Sequence, residues 1–241
     1  MSTEKRIRVV GLVTARGKNT LANKHQILIA NKPLIWYPLN AARKSPSIDK
    51  HYISSDDDSI LQLGYDEGYE VIKRPDEISQ PESLHGDAIT HALDVISSRI
   101  GYEPDVLVVL LGNTVYFKPE WVETSIKLMM ENQILSAVVP VYPQNDHHPY
   151  RAKYIDEDGY LKPYFKFSGG QVSTNRQDLP NNYFLCHNFW TLRISRSIRC
   201  PGQQPWTFMG DTIQPIILER GVDVHEASDI GLCELWVKNA Q

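Results

Sequence analysis

The run Asp105-Val106-Leu107-Val108-Val109-Leu110-Leu111 constrains this chain most. Six consecutive apolar residues, half of them β-branched, bury both faces of an extended segment, as happens in the middle of a parallel sheet with helices on either side. The neighbouring segments agree. Arg8-Val9-Val10-Gly11-Leu12-Val13-Thr14 reads as a first strand, and His51 to Ser55, Tyr69 to Ile72 and Ala137 to Val141 as further short strands. Between them, Pro33 to Ser45, Ile60 to Glu67, Asp87 to Ile100 and Glu120 to Glu131 carry helical spacing, the first with Pro33 in its opening turn and Pro38 at a position where a kink is expected. Strands alternating with helices predict βαβ units with right-handed crossovers, hence a three-layer α/β fold with a mostly parallel central sheet.

In such sheets ligands sit at the carboxyl ends of the strands. The loops at Arg16, at Asp56-Asp57-Asp58 and at Gly112-Asn113-Thr114 are therefore expected to converge on one crevice. From Tyr142 to about Asn182 the pattern changes to Pro, Asp, Asn, Gly and Tyr, with Asp156-Glu157-Asp158-Gly159 as a turn. This stretch reads as hairpins projecting from the sheet, a lid or a dimer arm. With 241 residues, the chain suits a single domain, 1–241, in which 142–182 is an inserted arm.

Charge and cysteines exclude several classes. With 25 basic and 29 acidic residues, no overall positive field attracts nucleic acid. Cys186, Cys200 and Cys233 are scattered and lack CxxC spacing, which argues against a disulfide framework or a zinc knuckle and fits the reducing cytoplasm. The N-terminal Met1 to Arg8 is polar and basic, followed by an apolar stretch too short for a signal peptide or membrane span, so a soluble, unprocessed chain is expected.

The chemistry concentrates in Ala15-Arg16-Gly17-Lys18-Asn19-Thr20-Leu21-Ala22-Asn23-Lys24-His25. An arginine and two lysines directly after a buried strand supply forked and point-charge donors for a polyphosphate. On its own the loop fits a solvated basic surface equally well. No GxxxxGK[ST] pattern occurs, which argues against a P-loop ATPase.

Several tetrapeptides in order then resemble one family, the acylneuraminate (CMP-sialate type) cytidylyltransferases. Ala15-Arg16-Gly17, Asn23-Lys24 and Asn31-Lys32-Pro33-Leu34-Ile35 resemble its first motif, A-R-x-G-S-K-G-x-x-x-K-N, and its KPLI helix. Ser54-Ser55-Asp56-Asp57 resembles S-T-D-D. Arg74-Pro75-Asp76-Glu77-Ile78 with His91-Ala92-Leu93 resembles R-P-x-E-L and H-A-L, and Arg176-Gln177-Asp178-Leu179-Pro180 with Tyr183 resembles R-Q-x-L-P-x-x-Y.

The resemblance implies a Rossmann-like nucleotidyltransferase fold and the attack of a sugar acid's anomeric hydroxyl on the α-phosphate of CTP, with Mg²⁺ or Mn²⁺ neutralising the phosphates. It also implies a homodimer. By match, Arg16 and Lys24 hold the triphosphate. Ala15, Gly17, Lys18, Asn19, Arg74, Asn113 and Thr114 lie along the nucleotide, Arg176 and Gln177 face the sugar, and Asn188 takes over a sugar contact; independently of the resemblance, Arg151 on the arm suits a clamp on a substrate carboxylate. The family's late D-I-D-T-x-x-D is set on Asp229-Ile230-Gly231-Leu232-Cys233-Glu234, so Asp229 is the expected metal ligand. Asp211 is a second candidate, or else the N-cap of a Thr212 to Leu218 helix.

The pattern breaks at the crevice. The basic loop is one residue short, with Lys18-Asn19 standing at S-K, and His25 replaces an asparagine. Gly112 to Lys118 keeps only the threonine of Q-P-T-S-P-L-R, and Cys186-His187-Asn188 stand at N-G-A. A changed acceptor or nucleotide is the natural inference. The alternatives are a nucleotidyltransferase using another triphosphate and a sugar phosphate, or a non-catalytic binding relative.

Overall fold

A computed structural model describes residues 6–166 and 172–239. The first five residues, on which the expectation for the N-terminus largely rests, lie outside the described residues, as does 167–171 of the arm.

In chain order, strand β1 (Val9–Thr14) leads into a small ribbon of β2 (Leu28–Ile29) and β3 (Lys32–Pro33), then helix α1 (Trp36–Arg43). There follow β4 (Lys50–Ser55), α2 (Asp58–Asp66), β5 (Glu70–Lys73), α3 (His85–Ile100), β6 (Val106–Leu111), α4 (Pro119–Glu131) and β7 (Ala137–Pro143). The ribbon β8 (Lys153–Ile155) and β9 (Leu161–Pro163) precedes β10 (Tyr183–Leu185), β11 (Phe189–Arg193), β12 (Ile213–Ile217) and α5 (Asp229–Asn239).

The three-layer expectation holds. β1 pairs in parallel with β4 and β6, and β4 with β5. β11 runs antiparallel between β6 and β7, and β12 pairs in parallel with β7. Alternate residues of the central strands serve opposite layers, as a period of two requires. Val9, Val13, Val106, Val108 and Leu110 pack with Ala42 of α1, Ile60 of α2 and Ile126 of α4. Val10, Leu12, Leu107, Val109 and Leu111 pack with Ile89, Leu93 and Ile96 of α3. All six residues of β6 are buried, so truncating Leu110 to alanine would cost about 2–5 kcal/mol.

Three local expectations are corrected. Pro33 belongs to β3, and α1 begins at Trp36, because Leu34 and Ile35 are fully buried against the core before the helix starts. Pro38 lies in the first turn of α1, where its missing N–H would have no helical partner anyway, so it needs no kink. The segment expected as a Thr212 to Leu218 helix is β12, whose Ile213, Ile216 and Ile217 suit a strand on the free edge of β7. Within the arm, the expected turn at Asp156 joins β8 to β9, with Gly159 at φ 84 and Tyr160 N–H donating to Asp156 Oδ1 at 2.8 Å.

Candidate active site

The carboxyl ends of β1, β4 and β6 meet along one edge. Ala15 N–H donates to Ser54 O (3.1 Å), Gly112 N–H to Thr14 O (3.0 Å) and Arg74 N–H to Ser55 O (2.8 Å). These backbone bonds tie the segments after β1, β5 and β6 together around a cavity of about 200 Å³; the Asp56–Asp58 loop, expected in the same crevice, packs against the basic loop and does not line it. Gly17 N–H donates to Asp56 Oδ1 at 2.8 Å, and a Cβ on Gly17 would stand 2.7 Å from Asp57 Cβ, so the basic loop lies against the turn before α2. Asp57 accepts from Ser59 and Ile60 N–H as the cap of α2, and these bonds, led by the Ser59 hydroxyl, hold its carboxyl below the usual range. Farther along the loop, Asn23 takes the left-handed conformation (φ 51, ψ 29) and turns the chain into a single helical turn that sets Lys24 and His25 inward.

Three cations face this cavity, and none of them forms an ion pair among the described residues. Arg74 is 5% exposed; its Nη2 donates to Ser54 O at 3.0 Å and its Nε to Ser54 Oγ at 3.3 Å. Burial pulls its guanidinium down to about 10, a shift opposed by the charge of Asp56 and reinforced by that of Arg16. Arg16 Nη1 donates to Gln80 O at 2.6 Å, and Lys24 Nζ to Val224 O at 3.1 Å. Lys24 is also lowered, chiefly by burial. A buried cation beside two partly buried ones, all with only neutral hydrogen-bond acceptors, leaves an electrostatic deficit that an anion fills.

Two histidines complete the wall. His85, at the start of α3, has Nε2 3.0 Å from Thr14 Oγ1 and its ring 5.2 Å from that of Trp190. Burial, then Arg74, keep it neutral, down to about 4. His25 Nδ1 lies 2.9 Å from Gly112 O. A Cβ on Gly112 would stand 2.7 Å from Ile35 Cδ1 and 3.1 Å from that Nδ1, so the strand end has room for glycine alone.

Of the residues singled out from sequence, Ala15, Arg16, Asn19, Lys24, Arg74 and Asn113 line the cavity together. Gly17 and Lys18 lie on the same loop, Lys18 exposed. Thr114 and Asn188 do not reach the cavity. Thr114 is fully buried, donating to Val222 O and accepting from Tyr116 N–H; Asn188 donates to Tyr116 O at 3.0 Å and accepts from Phe189 N–H at 2.8 Å. Both tie the 112–118 loop to its surroundings. Arg151, Arg176 and Gln177 are exposed on the arm, with Arg176 paired to Asp146 at 2.8 Å. Asp211 precedes β12, which runs parallel to β7, so it lies at the amino ends of the strands, opposite the cavity; it does not belong to this site. Cys186 is buried, and its thiol is pushed up to about 12.

Asp229 accepts from His225 and Glu226 N–H (2.8 and 2.9 Å), which hold its carboxyl low. The same segment carries two residues that the sequence reading passed over. Asp223 Oδ2 lies 2.7 Å from His225 Nε2 and 3.5 Å from Asn113 Nδ2, and Val224 N–H donates to Asn113 O at 2.7 Å. The charges of both Asp223 and Asp229 act on Lys24. The pattern D-I-D-T-x-x-D therefore fits Asp223-Val224-His225-Glu226-Ala227-Ser228-Asp229, keeping its first and last aspartates with His225 at the third position. Setting the motif six residues earlier would have found them. Among the described residues, no three His, Cys, Asp or Glu side chains come together as a metal cage.

Residues 10–91 match the family model described as cytidylyltransferase. The chain is 26% identical over 178 residues to an N-acylneuraminate cytidylyltransferase of Streptococcus agalactiae; the match takes in 72% of this chain but only 40% of that enzyme. In fold it is similar to CMP:2-keto-3-deoxy-manno-octonic acid synthetase complexed with CTP, with TM-score 0.68 and 15% identity over 97% of this chain and all of that one. It is also similar to 4-diphosphocytidyl-2C-methyl-D-erythritol synthase from Anaerococcus prevotii, with TM-score 0.65 and 12% identity over the same shares.

Proposed function

We propose that this chain, whose residues 10–91 match the cytidylyltransferase model, transfers a cytidylyl group from CTP to a sugar acid, giving a CMP-sugar and pyrophosphate. The observation that carries this reading is the set of three cations without an ion pair among the described residues, Arg16, Lys24 and the buried Arg74, around a cavity at the strand ends. The acceptor's anomeric hydroxyl attacks the α-phosphorus and gives up its proton to solvent, the bond from the α-phosphorus to the bridging oxygen breaks, and pyrophosphate leaves with the electron pair. Such transfer is mostly positioning and charge stabilisation. Arg16 and Lys24 hold the triphosphate, and their charge is worth most in a site closed to water. Ala15, Gly17, Lys18 and Asn19 lie along it, and Arg74 and Asn113 border the nucleotide.

A divalent cation, Mg²⁺ or Mn²⁺, fits the donor chemistry at the Lys24 edge of the cavity. Asp223 and Asp229 each keep one carboxylate oxygen without a hydrogen-bond partner among the described residues. These two hard oxygens would hold an ion that brings the triphosphate with it. When bound, the ion neutralises charge that develops on the phosphates. On the acceptor side we place Arg151, Arg176 and Gln177, whose exposed positions suit contacts formed only when substrate or a second chain meets the arm. The arm's Tyr154, Ile155, Tyr160 and Leu161, all exposed, suit a second copy of the chain.

A sugar-phosphate acceptor is the second reading, favoured by the likeness in fold to the methylerythritol synthase. Pyrophosphate release separates the two. With Mg²⁺, each of the four triphosphates and a panel of sugar acids and sugar phosphates, release is expected with CTP and a sugar acid. Release only with a sugar phosphate supports the second reading. Silence throughout, with nucleotide still bound, would make the chain a binding relative.

A further inference from the structure

His25 lines the cavity between the basic loop and the end of β6, and is 4% exposed. Its Nδ1 faces the Gly112 carbonyl at 2.9 Å, while the Arg16 carbonyl, which accepts from Asn19 Nδ2, lies on the same loop. A neutral imidazole satisfies the Gly112 carbonyl with its one N–H; an imidazolium keeps that bond and gains a second N–H for another acceptor. The ring can therefore charge without losing its tie to the strand end. In the empty cavity that form is opposed by burial first, and by the neighbouring Lys24 ammonium, which outweigh the carbonyls and Asp57 and bring the ring down to about 4. The charged groups around it are Arg16 and Lys24 on its own loop and Asp57 before α2; β6 and the approach to α1 meet it through Gly112 and Ile35, neither of which titrates.

We propose that His25 takes up a proton when a triphosphate enters the cavity and so becomes a further cation of the phosphate site, held at Nδ1 by the Gly112 carbonyl. The inference rests on the nucleotide-binding reading above. Its magnitude is reasonable. An opposite charge within about 4–6 Å raises such a group by roughly 1–3 pH units, and a triphosphate brings about four negative charges. The same charges relieve the repulsion from Lys24.

The test is calorimetric titration of the full chain with inorganic tripolyphosphate and with Mg²⁺–CTP, at pH 6 and pH 7.5, in buffers of different ionisation enthalpy. Imidazole ¹⁵N spectra of the wild-type protein accompany it. At pH 6 the wild type is expected to take up about half a proton or more beyond what the His25→Asn variant takes up, with affinity for either ligand rising about three- to tenfold from pH 7.5 to pH 6 relative to that variant. Protonation of the ligand itself appears in both proteins and cancels. The His25 nitrogens should change from one protonated to both protonated on saturation.

A ring that stays neutral in the saturated wild-type complex at pH 6 overturns the proposal, as does equal proton uptake by the two proteins. Should His25→Asn fail to fold, the wild-type spectra decide. CTP binding no tighter than tripolyphosphate, with proton uptake intact, would count against the nucleotidyl reading and leave this one standing. Binding of neither ligand would overturn both.

Discussion

Arginines appear in two settings here, and the contrast says which of them function explains. At the strand ends, Arg74 is buried and Arg16 turned inward, with only carbonyl and hydroxyl oxygens as partners. On the arm, Arg176 and Arg151 are exposed and gather around Asp146, through its carboxylate and its backbone oxygen respectively. The exposed Arg176–Asp146 pair stabilises each partner's charged form, raising the arginine and lowering the carboxyl chiefly through their hydrogen bond. Surface pairs of that kind cost little and arise without a ligand. A cation withdrawn from water without a carboxylate is a standing cost to the fold, and it persists where something else requires it.

The largest effect should come from breaking the cavity side. Replacing Arg74 by methionine removes a buried charge while keeping much of its volume, so the ligand-free protein should melt at the same temperature or higher. Pyrophosphate release from CTP should meanwhile fall by about 10²–10³-fold, the usual loss when one preorganised donor is removed. Lys24→Ala and Arg16→Ala should show a similar loss. Wild-type turnover in any of the three would remove that cation from the site, and a large drop in melting temperature for Arg74→Met would make Arg74 a structural tie to Ser54.

Next in size is the pH response of the ligand-free cavity. His25 and His85 are each held down to about 4 by burial, whereas an unfolded histidine titrates near its ordinary value of 6.5. Between those limits the unfolded chain binds more protons than the folded one, so stability is complete above about pH 6.5 and falls as pH drops toward 4. Each histidine contributes on the order of 3 kcal/mol to that loss. Thermal melts from pH 7.5 to 4.5 should show the decline, and His85→Phe should remove part of it. A flat profile would show that these rings already carry protons.

Smaller effects, of about 1–3 kcal/mol, are expected at Thr114→Val and Asn188→Ala, because each substitution strands buried backbone groups. These should lower the denaturation midpoint and leave the Michaelis constants for CTP and acceptor unchanged. A change confined to the acceptor's Michaelis constant would return Asn188 to the substrate side.

The fold was largely legible because its signals are local. The apolar run of β6, the helical spacing of α3 and the polar break at Tyr142 each depend on neighbours in sequence, and the strand-end rule then located the crevice. The misread positions depend on partners far along the chain. Thr114 resembles a ligand contact until Val222, distant in sequence, is seen to accept its proton. Asp211 and Asp229 are alike as carboxylates, and only the direction of β12 puts the first at the wrong end of the sheet. Asp223 escaped because only the two outer aspartates of the motif are kept there, and Asp229, which closes it, reads equally well as its start. His85 carried no signal beyond its residue type, and His25 only its place at the end of the basic loop, where it replaces an asparagine; their position in the wall comes from segments distant in sequence.

The arm sets the lower bound of the comparison. Asp146 and Arg176 are exposed side chains from two ends of the arm, and water stands in for either when the other is removed. Asp146→Asn should therefore leave the melting temperature unchanged. If the pair is only a surface contact, catalysis should be unchanged as well. If instead Arg176 serves the acceptor, releasing it from Asp146 should lower the acceptor's Michaelis constant slightly, and Arg176→Ala should raise it by less than about tenfold while leaving the CTP constant alone, since such a contact holds ground state and transition state equally. Measuring both constants in both variants distinguishes these cases: opposite shifts for the acceptor assign Arg176 to the sugar, and no shift in either confines the substrate to the buried cations of the strand ends.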